Sequence, residues 1–153
     1  MRERASLIII RDNKFLFVEQ LVKEKLRNVF IGGGVEDGET PQEAALRELS
    51  EEANIKGKIV FGPAVLVTEM IENIFIVSIP ENSEPVLGYD PELPLDKQEI
   101  KRLIWRDPNE EIDKFNSFDK KYFSTIVNEA KKQNSKDEWV KLLEGIIAHN
   151  TRV

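Results

Sequence analysis

Short runs of β-branched, aromatic and other apolar residues, separated by polar or turn-forming residues, occupy much of the first two thirds of the chain. Runs of this kind are typical of β-strands. They predict six strands, at residues 5–10, 15–20, 29–31, 55–68, 71–79 and 100–106. The polar residues 11–14 predict a hairpin turn, Gly62-Pro63 predicts a bend or bulge, and residues 21–27 are expected to form a polar connection.

Apolar residues recur at helical spacing in three stretches, one after the third predicted strand and two near the C-terminus. The C-terminal pair predicts amphipathic helices at residues 118–132 and 136–149, preceded by a short helix at 109–114. Their inward-facing residues are expected to be Tyr122, Ile126, Val127, Trp139, Leu142, Leu143 and Ile146. Residues 80–98 contain four prolines and no periodicity, which predicts a long loop of a kind that is often functional.

The first of the three helices has a clear beginning. Thr40 is a suitable N-cap, Pro41 suits the first turn, and Glu43 completes a capping box three residues after the cap. On a helix continuing to residue 53, the arc expected to pack comprises Ala45, Leu46, Leu49 and Ala53. Strands on both sides of this central helix, with helices closing the end, predict an α+β sandwich formed by one domain over residues 1–153.

Composition restricts the possible functions. Hydrophobic residues make up 41% and charged residues 33%, the balance of an ordinary globular protein. The net charge of -6 argues against a general affinity for nucleic acids or anionic membranes, so neither is expected as a partner. The absence of Cys excludes disulfides and a thiol nucleophile and is compatible with the cytoplasmic location that we expect. The only histidine, His149, lies near a predicted helix end, and a His-based triad is excluded.

Next to its packing arc, the central helix carries Glu48, Glu51 and Glu52 on one face. Like charges three or four residues apart repel by about 0.2–0.5 kcal/mol per pair, and no lysine is interleaved to offset the repulsion. Two explanations remain open at this point. The face is either a solvated acidic surface or a site for a hard divalent cation, which takes carboxylate and carbonyl oxygens as ligands.

The residues around this acidic face follow a fixed spacing. Gly33 is followed after five residues by Glu39 and after seven more by Arg47-Glu48-Leu49, and then come Glu51-Glu52 and the apolar Ile55. This spacing resembles the Nudix box. The resemblance implies a mixed-sheet α/β/α sandwich and hydrolysis of a pyrophosphate bond in a nucleotide, with Mg²⁺ or Mn²⁺ as cofactor.

The resemblance also implies roles for individual residues. Four of them are expected to be catalytic, with Arg47 orienting the acidic group of Glu48, Glu51 and Glu52. The three carboxylates and the Gly32 carbonyl are the expected metal ligands, and Glu39 is expected to organise the loop through main-chain N–H groups. The expected general base is Glu99, although an exposed charge at a strand edge is an equal alternative. The expected phosphate-binding residues are Gly33, Gly34, Lys23 and Arg27, with a solvated loop as the alternative for the last two.

The sequence departs from the Nudix box at Asn54, where the family has glycine. This position ends the helix in a left-handed conformation, which Asn adopts more readily than other non-glycine residues. We therefore expect the departure to be neutral. The proline that often precedes the glycines is replaced by Ile31, which affects only the path of the loop.

The substrate class is expected to be nucleoside triphosphates, including deoxynucleotides, with ADP-ribose or another nucleoside diphosphate sugar as the alternative. A Nudix-fold nucleotide-binding module without turnover is a further alternative of a different class. Four aromatic residues are available either to stack on a base or to fill the core: Phe30, Phe75, Tyr89 and Trp105. The expected partner is a small nucleotide, and the expected assembly is a monomer or homodimer.

Overall fold

The computed structural model describes residues 1–22, 24–88, 101–112, 115 and 117–149, without the side chains of residues 22, 111 and 118. The strands in this part of the chain are β1 Glu3–Arg11, β2 Lys14–Val22, β3 Lys25–Val29, β4 Ile31–Gly34, β5 Lys58–Val67, β6 Ile71–Ser78 and β7 Lys101–Arg106. The helices are α1 Pro41–Ala53, α2 Pro108–Glu111, α3 Ser117–Lys132 and α4 Glu138–Ala148. None of these helices is long and apolar enough to cross a membrane.

The seven strands form one mixed sheet around β1. On one side β1 runs parallel to β6, and on the other it is antiparallel to both β2 and β4. β1 and β2 pair only near their hairpin, at Ile9 to Arg11, and then separate. β4 pairs with the start of β1 and β3 with the end of β2, so the two short strands fill the gap between β1 and β2. The glycines of β4 therefore run directly beside Arg4, Ala5 and Ser6.

Helices cover both faces of the sheet, which confirms the predicted α/β/α sandwich. Because side chains alternate along β1, Ala5, Leu7 and Ile9 join the apolar cluster of α1, while Ile8 joins that of α3 and α4. Six of the seven residues predicted to face inward on α3 and α4 are buried, and Leu142 is partly buried. On α1 the packing arc is shifted, because Ala44 is buried and Leu46 is 39% exposed. The expectation that Leu46 packs was wrong.

The largest correction concerns residues 21–27, which were expected to be a polar connection. β2 continues through Val22, and β3 begins at Lys25 and pairs with it. This extension is exposed, with Leu26 65% accessible, so it lacks the hydrophobic alternation that identifies a half-buried strand. The pairing of β3 with β2 continues to Val29, and β4 begins at Ile31 after an interruption at Phe30. A single strand had been predicted at residues 29–31, so the observed structure has two strands there.

The remaining boundaries are close to those predicted. The register between β5 and β6 shifts on both sides of Phe61, consistent with the irregularity predicted at Gly62-Pro63. The short helix α2 begins at Pro108 with Asp107 as its cap, and residues 113 and 114 of the predicted helix lie outside the described residues. Residues 80–88 contain no helix or strand, as expected for the loop predicted at residues 80–98. The rest of that loop, residues 89–98, lies outside the described residues. His149 is the C-cap of α4, and its carbonyl accepts a hydrogen bond from Lys120.

Candidate active site

The helix α1 begins and ends as the sequence predicts. The Thr40 hydroxyl accepts a hydrogen bond from the Glu43 N–H at 3.1 Å, and the Glu43 carboxylate accepts one from the Thr40 N–H at 3.2 Å. Asn54 ends the helix in the left-handed conformation, with φ 53°. These local interactions fix where α1 begins and ends.

Arg47 is the centre of the polar network on this helix. Its guanidinium donates to both oxygens of Glu39, at 2.8 and 3.0 Å, and to the carboxylate of Glu48 at 2.9 Å. It also donates to the Gly34 carbonyl at 2.9 Å and to Glu51 at 3.3 Å. Such bidentate, charge-assisted contacts hold both partners in one geometry. The geometry agrees with the predicted orienting role of Arg47, and protein groups occupy its donors.

The predicted role of Glu39 in organising the loop is matched by a direct contact. One of its carboxylate oxygens accepts a hydrogen bond from the Glu36 N–H at 3.0 Å. The hydrogen bond from Arg47, together with that from Glu36, holds the pKa of Glu39 below its usual value. Glu39 is therefore a charged support for the loop, and Arg47 connects it to Glu48.

The glycine loop touches the carboxylate of Glu48. A Cβ atom at Gly33 would lie 2.2 Å from Oε1 of Glu48, so a side chain at position 33 would displace that carboxylate. The Glu48 side chain is 14% exposed. Burial raises the pKa of Glu48, and the hydrogen bond from Arg47 opposes this effect. Gly33 is thus required for the position of Glu48, whether or not it also contacts a ligand.

Glu52 is the most perturbed carboxylate of the three. Burial, and secondly repulsion by Glu48, raise its pKa to about 7. The positive charges of Lys101 and Arg4 and a hydrogen bond from the Gly32 main chain act in the opposite direction. Two neighbouring, partly buried carboxylates of like charge are an unfavourable arrangement for an isolated protein. The arrangement becomes favourable when a cation lies between them, so these donors fit a hard divalent ion.

The structure does not bring all the predicted metal ligands together. Within the described ranges, no three acidic or histidine side chains converge closely enough to hold a metal ion. Glu51 is 59% exposed and bonds to Arg47, so its side chain must rotate before it can join Glu48 and Glu52. The main-chain N–H of Gly32 donates to Glu52, and the ligand role of the Gly32 carbonyl stays a prediction. Glu48 and Glu52 are therefore the two predicted side-chain ligands that the fold holds half-buried, with repulsion between them.

Several other predicted site residues keep the status of predictions. Glu99, Lys23 and Tyr89 lie outside the described residues. Arg27 is exposed in β3, opposite Gln20, and its predicted phosphate contact is not tested.

The aromatic candidates divide by burial. Phe75 is fully buried and belongs to the core next to α1. Phe30 stacks on Tyr122, with ring centroids 5.1 Å apart, in the opposite cluster. Trp105 is partly buried, and the guanidinium of Arg11 lies 4.5 Å from the centroid of its ring. Core packing is thus the better explanation for Phe75, whereas Phe30 also lines a cavity.

That cavity was not predicted from the sequence. It has a volume of about 300 Å³ and lies between the sheet and α3. The lining residues are Arg4, Ser6, Asn28, Val29, Phe30, Met70, Glu72, Asp119 and Tyr122. The available signal was the polar residues Ser6 and Glu72 within otherwise apolar strands, because buried polar groups in a core require an explanation.

The polar side chains that line the cavity form hydrogen bonds with one another. The Ser6 hydroxyl donates to Glu72 at 3.3 Å, and Tyr122 is hydrogen-bonded to the same carboxylate. Burial and this contact raise the pKa of Tyr122. Arg4 lies 4.0 Å from Glu72, and its charge also lowers the pKa values of Glu48 and Glu52. Arg4 therefore lines the cavity and also acts electrostatically on the carboxylate pair.

The stability of the protein without metal is expected to fall as the pH rises from 4.5, the ordinary pKa of Glu52, to about 7, its pKa in the fold. Between these values the native state keeps a proton that the unfolded state releases, so the free energy of unfolding decreases by about 1–3 kcal/mol. Glu39 does not cancel the effect, because its lowered pKa acts below 4.5.

Thermal melts at about pH 5 and about pH 8, in the presence of a chelator, measure this decrease. Glu52→Gln should abolish most of it, because the glutamine does not titrate. An equal decrease in both proteins would assign the pH dependence to other groups.

Comparisons with known proteins agree with this architecture. A family model, the NUDIX domain, matches residues 1–126, which leaves α4 outside the match. No curated protein sequence matches the chain. Solved structures with the same fold include the E. coli ORF135 protein, which is 24% identical with a TM-score of 0.52 over 74% of this chain and 78% of its own. A NUDIX hydrolase from Nitrosomonas europaea is 18% identical with a TM-score of 0.53 over 95% and 86%.

A third similar structure is an ADP-ribose pyrophosphatase from Streptococcus suis. It is 12% identical, with a TM-score of 0.55 over 71% of this chain and 75% of its own. At identities of 12–24% these three structures support the fold and leave the substrate open.

Proposed function

The chain belongs to the NUDIX family of hydrolases, and from that premise we propose that it hydrolyses a pyrophosphate bond in a nucleoside or deoxynucleoside triphosphate, with Mg²⁺ or Mn²⁺ as cofactor. The observation that carries the proposal is the half-buried pair of Glu48 and Glu52, which interacts electrostatically with Arg4 in the lining of a polar cavity. A solvated acidic face does not explain this pair. Carboxylates that only contact solvent have a lower free energy when fully exposed than when they are half-buried next to each other.

The cation, when bound, supplies positive charge to the phosphate oxygens and lowers the pKa of the attacking water. The chain's own residues hold the geometry. Arg47 keeps Glu48 in place, Gly33 leaves space for that carboxylate, and Glu52 contributes the second fixed oxygen donor. The further proposed ligands are the Gly32 carbonyl and Glu51, the latter after its side chain leaves Arg47.

Two further roles belong to residues outside this cluster. Glu99 is proposed to accept the proton of the attacking water. The main chain at Gly33 and Gly34, with the side chains of Lys23 and Arg27, is proposed to contact the phosphates.

The cavity supports a substrate with one nucleoside. Its volume of about 300 Å³ is at the lower end of the range for small-molecule sites, which run from about 300 to 1,000 Å³. It offers the buried carboxylates of Glu72 and Asp119 as acceptors. Arg106 donates to Oδ1 of Asn28 at 2.8 Å, so the Asn28 amide is oriented with its NH₂ group as a donor. Donors and acceptors of this kind suit the edge of a nucleobase.

A panel of nucleotides tests the substrate class. We expect kcat/KM for a (d)NTP to exceed that for ADP-ribose by about tenfold or more, because the cavity volume of about 300 Å³ suits one nucleoside better than a nucleoside together with a distal ribose. Release of a nucleoside monophosphate and pyrophosphate, followed by chromatography, is the measurement. Glu52→Gln serves as the control for a contaminating phosphatase.

Two other outcomes would contradict the proposal. Faster cleavage of ADP-ribose than of every triphosphate would assign the chain to the nucleoside diphosphate sugar class. Tight nucleotide binding with no turnover in Mg²⁺ or Mn²⁺ would assign it to the binding modules.

A further inference from the structure

We propose that Asn54 is a positioning residue that clamps residues 86–88 onto the C-terminal end of α1 and thereby holds Glu52 in place. The inference rests on the proposed function, since it assumes that Glu52 binds the catalytic cation. Asn54 stands where the Nudix box has glycine, and its left-handed conformation, φ 53°, is one that glycine would also adopt. The conformation alone therefore does not explain the choice of Asn.

The side chain of Asn54 explains it. Its Nδ2 donates a hydrogen bond to the main-chain carbonyl of Val86 at 2.8 Å. Glycine has no such donor. Asn54 thus combines a helix end with a tether to a segment 32 residues further along the chain.

The tethered segment in turn closes the end of α1. The Val86 N–H donates to the carbonyl of Ala53 at 2.8 Å, and the Gly88 N–H donates to the carbonyl of Glu52 at 2.9 Å. The last carbonyls of a helix have no partner within the helix, so these two bonds replace water at that end. One of them holds the main chain of Glu52 itself.

Gly88 shows how close this contact is. A Cβ atom at position 88 would lie 1.8 Å from the main-chain oxygen of Glu51, an overlap with backbone that a side-chain rotation cannot relieve. Residue 88 must therefore be glycine for the segment to reach the helix. We call the set of Asn54, Val86 and Gly88 the helix-end clamp.

The chain just before residues 86–88 is held by a separate contact. Arg11 donates to the carbonyl of Ser83 at 2.7 Å and lies over the ring of Trp105. Loss of the Asn54 amide therefore weakens the attachment at α1 only, while the contact with Arg11 of β1 remains. A change at the clamp is expected to leave the fold intact.

The clamp matters because Glu52 is held against repulsion. Glu48 and Glu52 repel each other in the absence of a cation, and a loosened helix end lets Glu52 move away. A carboxylate that must be restrained again on binding lowers cation affinity. The sequence alone predicts that Asn54→Gly is neutral. From the structure we expect instead that this variant binds the cation more weakly.

Three variants test the inference. Asn54→Gly keeps the conformation and removes the amide, and Gly88→Ala breaks the contact from the other side. The matched control is Asn134→Gly, because Asn134 also has a positive φ, 55°, beyond the end of α3. The readouts are hydrogen exchange at the Val86 and Gly88 amides, the Kd of Mn²⁺ by EPR, kcat and KM.

For Asn54→Gly we expect faster exchange at both amides and a rise of about 2- to 12-fold in the Kd of Mn²⁺, the range that corresponds to one hydrogen bond. kcat at fixed subsaturating metal should fall by a similar factor, while KM for the nucleotide and the melting temperature change no more than in Asn134→Gly. Gly88→Ala should show the same split, more strongly.

Faster exchange with an unchanged Kd of Mn²⁺ and unchanged kcat would overturn the inference, since Asn54 would then only end the helix. Unchanged exchange would show that the clamp does not hold the segment. Failure of the proposed function is distinguishable, because it appears in the unmodified protein as absence of both Mn²⁺ binding and turnover.

Discussion

Glu52→Gln is expected to lower kcat by about 10²–10⁴ while the protein remains folded. The amide keeps the size of the side chain but removes the charge that would hold the cation. Because the pKa of Glu52 is raised to about 7 by burial and by Glu48, the neutral glutamine should not destabilise the protein without metal and is expected to stabilise it above pH 7. Loss of activity and gain of stability in one variant is a combination that a structural role cannot produce.

Steady-state kinetics beside a thermal melt measure both effects. Glu129→Gln on α3 is a matched control, since it makes the same chemical change on a helix of the opposite face. Glu51→Gln should cost less than Glu52→Gln, because Glu51 is mostly exposed and bonded to Arg47. A drop of less than about tenfold for Glu52→Gln, or a collapse of its melting temperature, would contradict a direct role in cation binding.

Removal of divalent cations is expected to reduce turnover by about 10³-fold or more, because the charge that a metal places on phosphate oxygens lowers the barrier by several kcal/mol. The effect should depend on pH. Below the Glu52 pKa of about 7, protons compete with the cation for the same oxygens. The half-saturating Mg²⁺ concentration should therefore rise about tenfold for each unit of decrease in pH, and activity should increase toward alkaline pH.

Titration of Mg²⁺ into chelated protein at several pH values gives both quantities. Full recovery on adding Mg²⁺ excludes unfolding as the cause of the loss. Turnover that continues undiminished in excess chelator would exclude the metal-dependent reaction.

Features that depend on local geometry could be predicted from the sequence. The capping box at Thr40, the left-handed end at Asn54 and the acidic face of α1 all follow from residues within one or two helical turns. The fixed spacing from Gly33 to Ile55 identified the family. It also indicated the carboxylates that we propose as catalytic, because a helix places residues three or four apart on one face. The same holds for the buried strands, whose apolar runs are local.

The burial of individual residues on α1 depends on tertiary packing and could not be predicted from the sequence. The sequence treats Glu48, Glu51 and Glu52 alike, whereas packing half-buries Glu48 and Glu52 and leaves Glu51 exposed beside Arg47. Leu46 lies on the predicted packing arc but is exposed, because the sheet meets α1 about one residue to the side.

Contacts between distant segments were also decided only by the fold. The exposed pairing of β3 with β2 has no hydrophobic pattern to reveal it, since main-chain hydrogen bonds do not depend on side-chain type. The cavity combines β1, β3, β6 and α3, and the helix-end clamp joins Asn54 to Val86. Such contacts depend on how the strands and helices pack. The spacing of residues along the chain does not show which of these elements will meet in the folded protein.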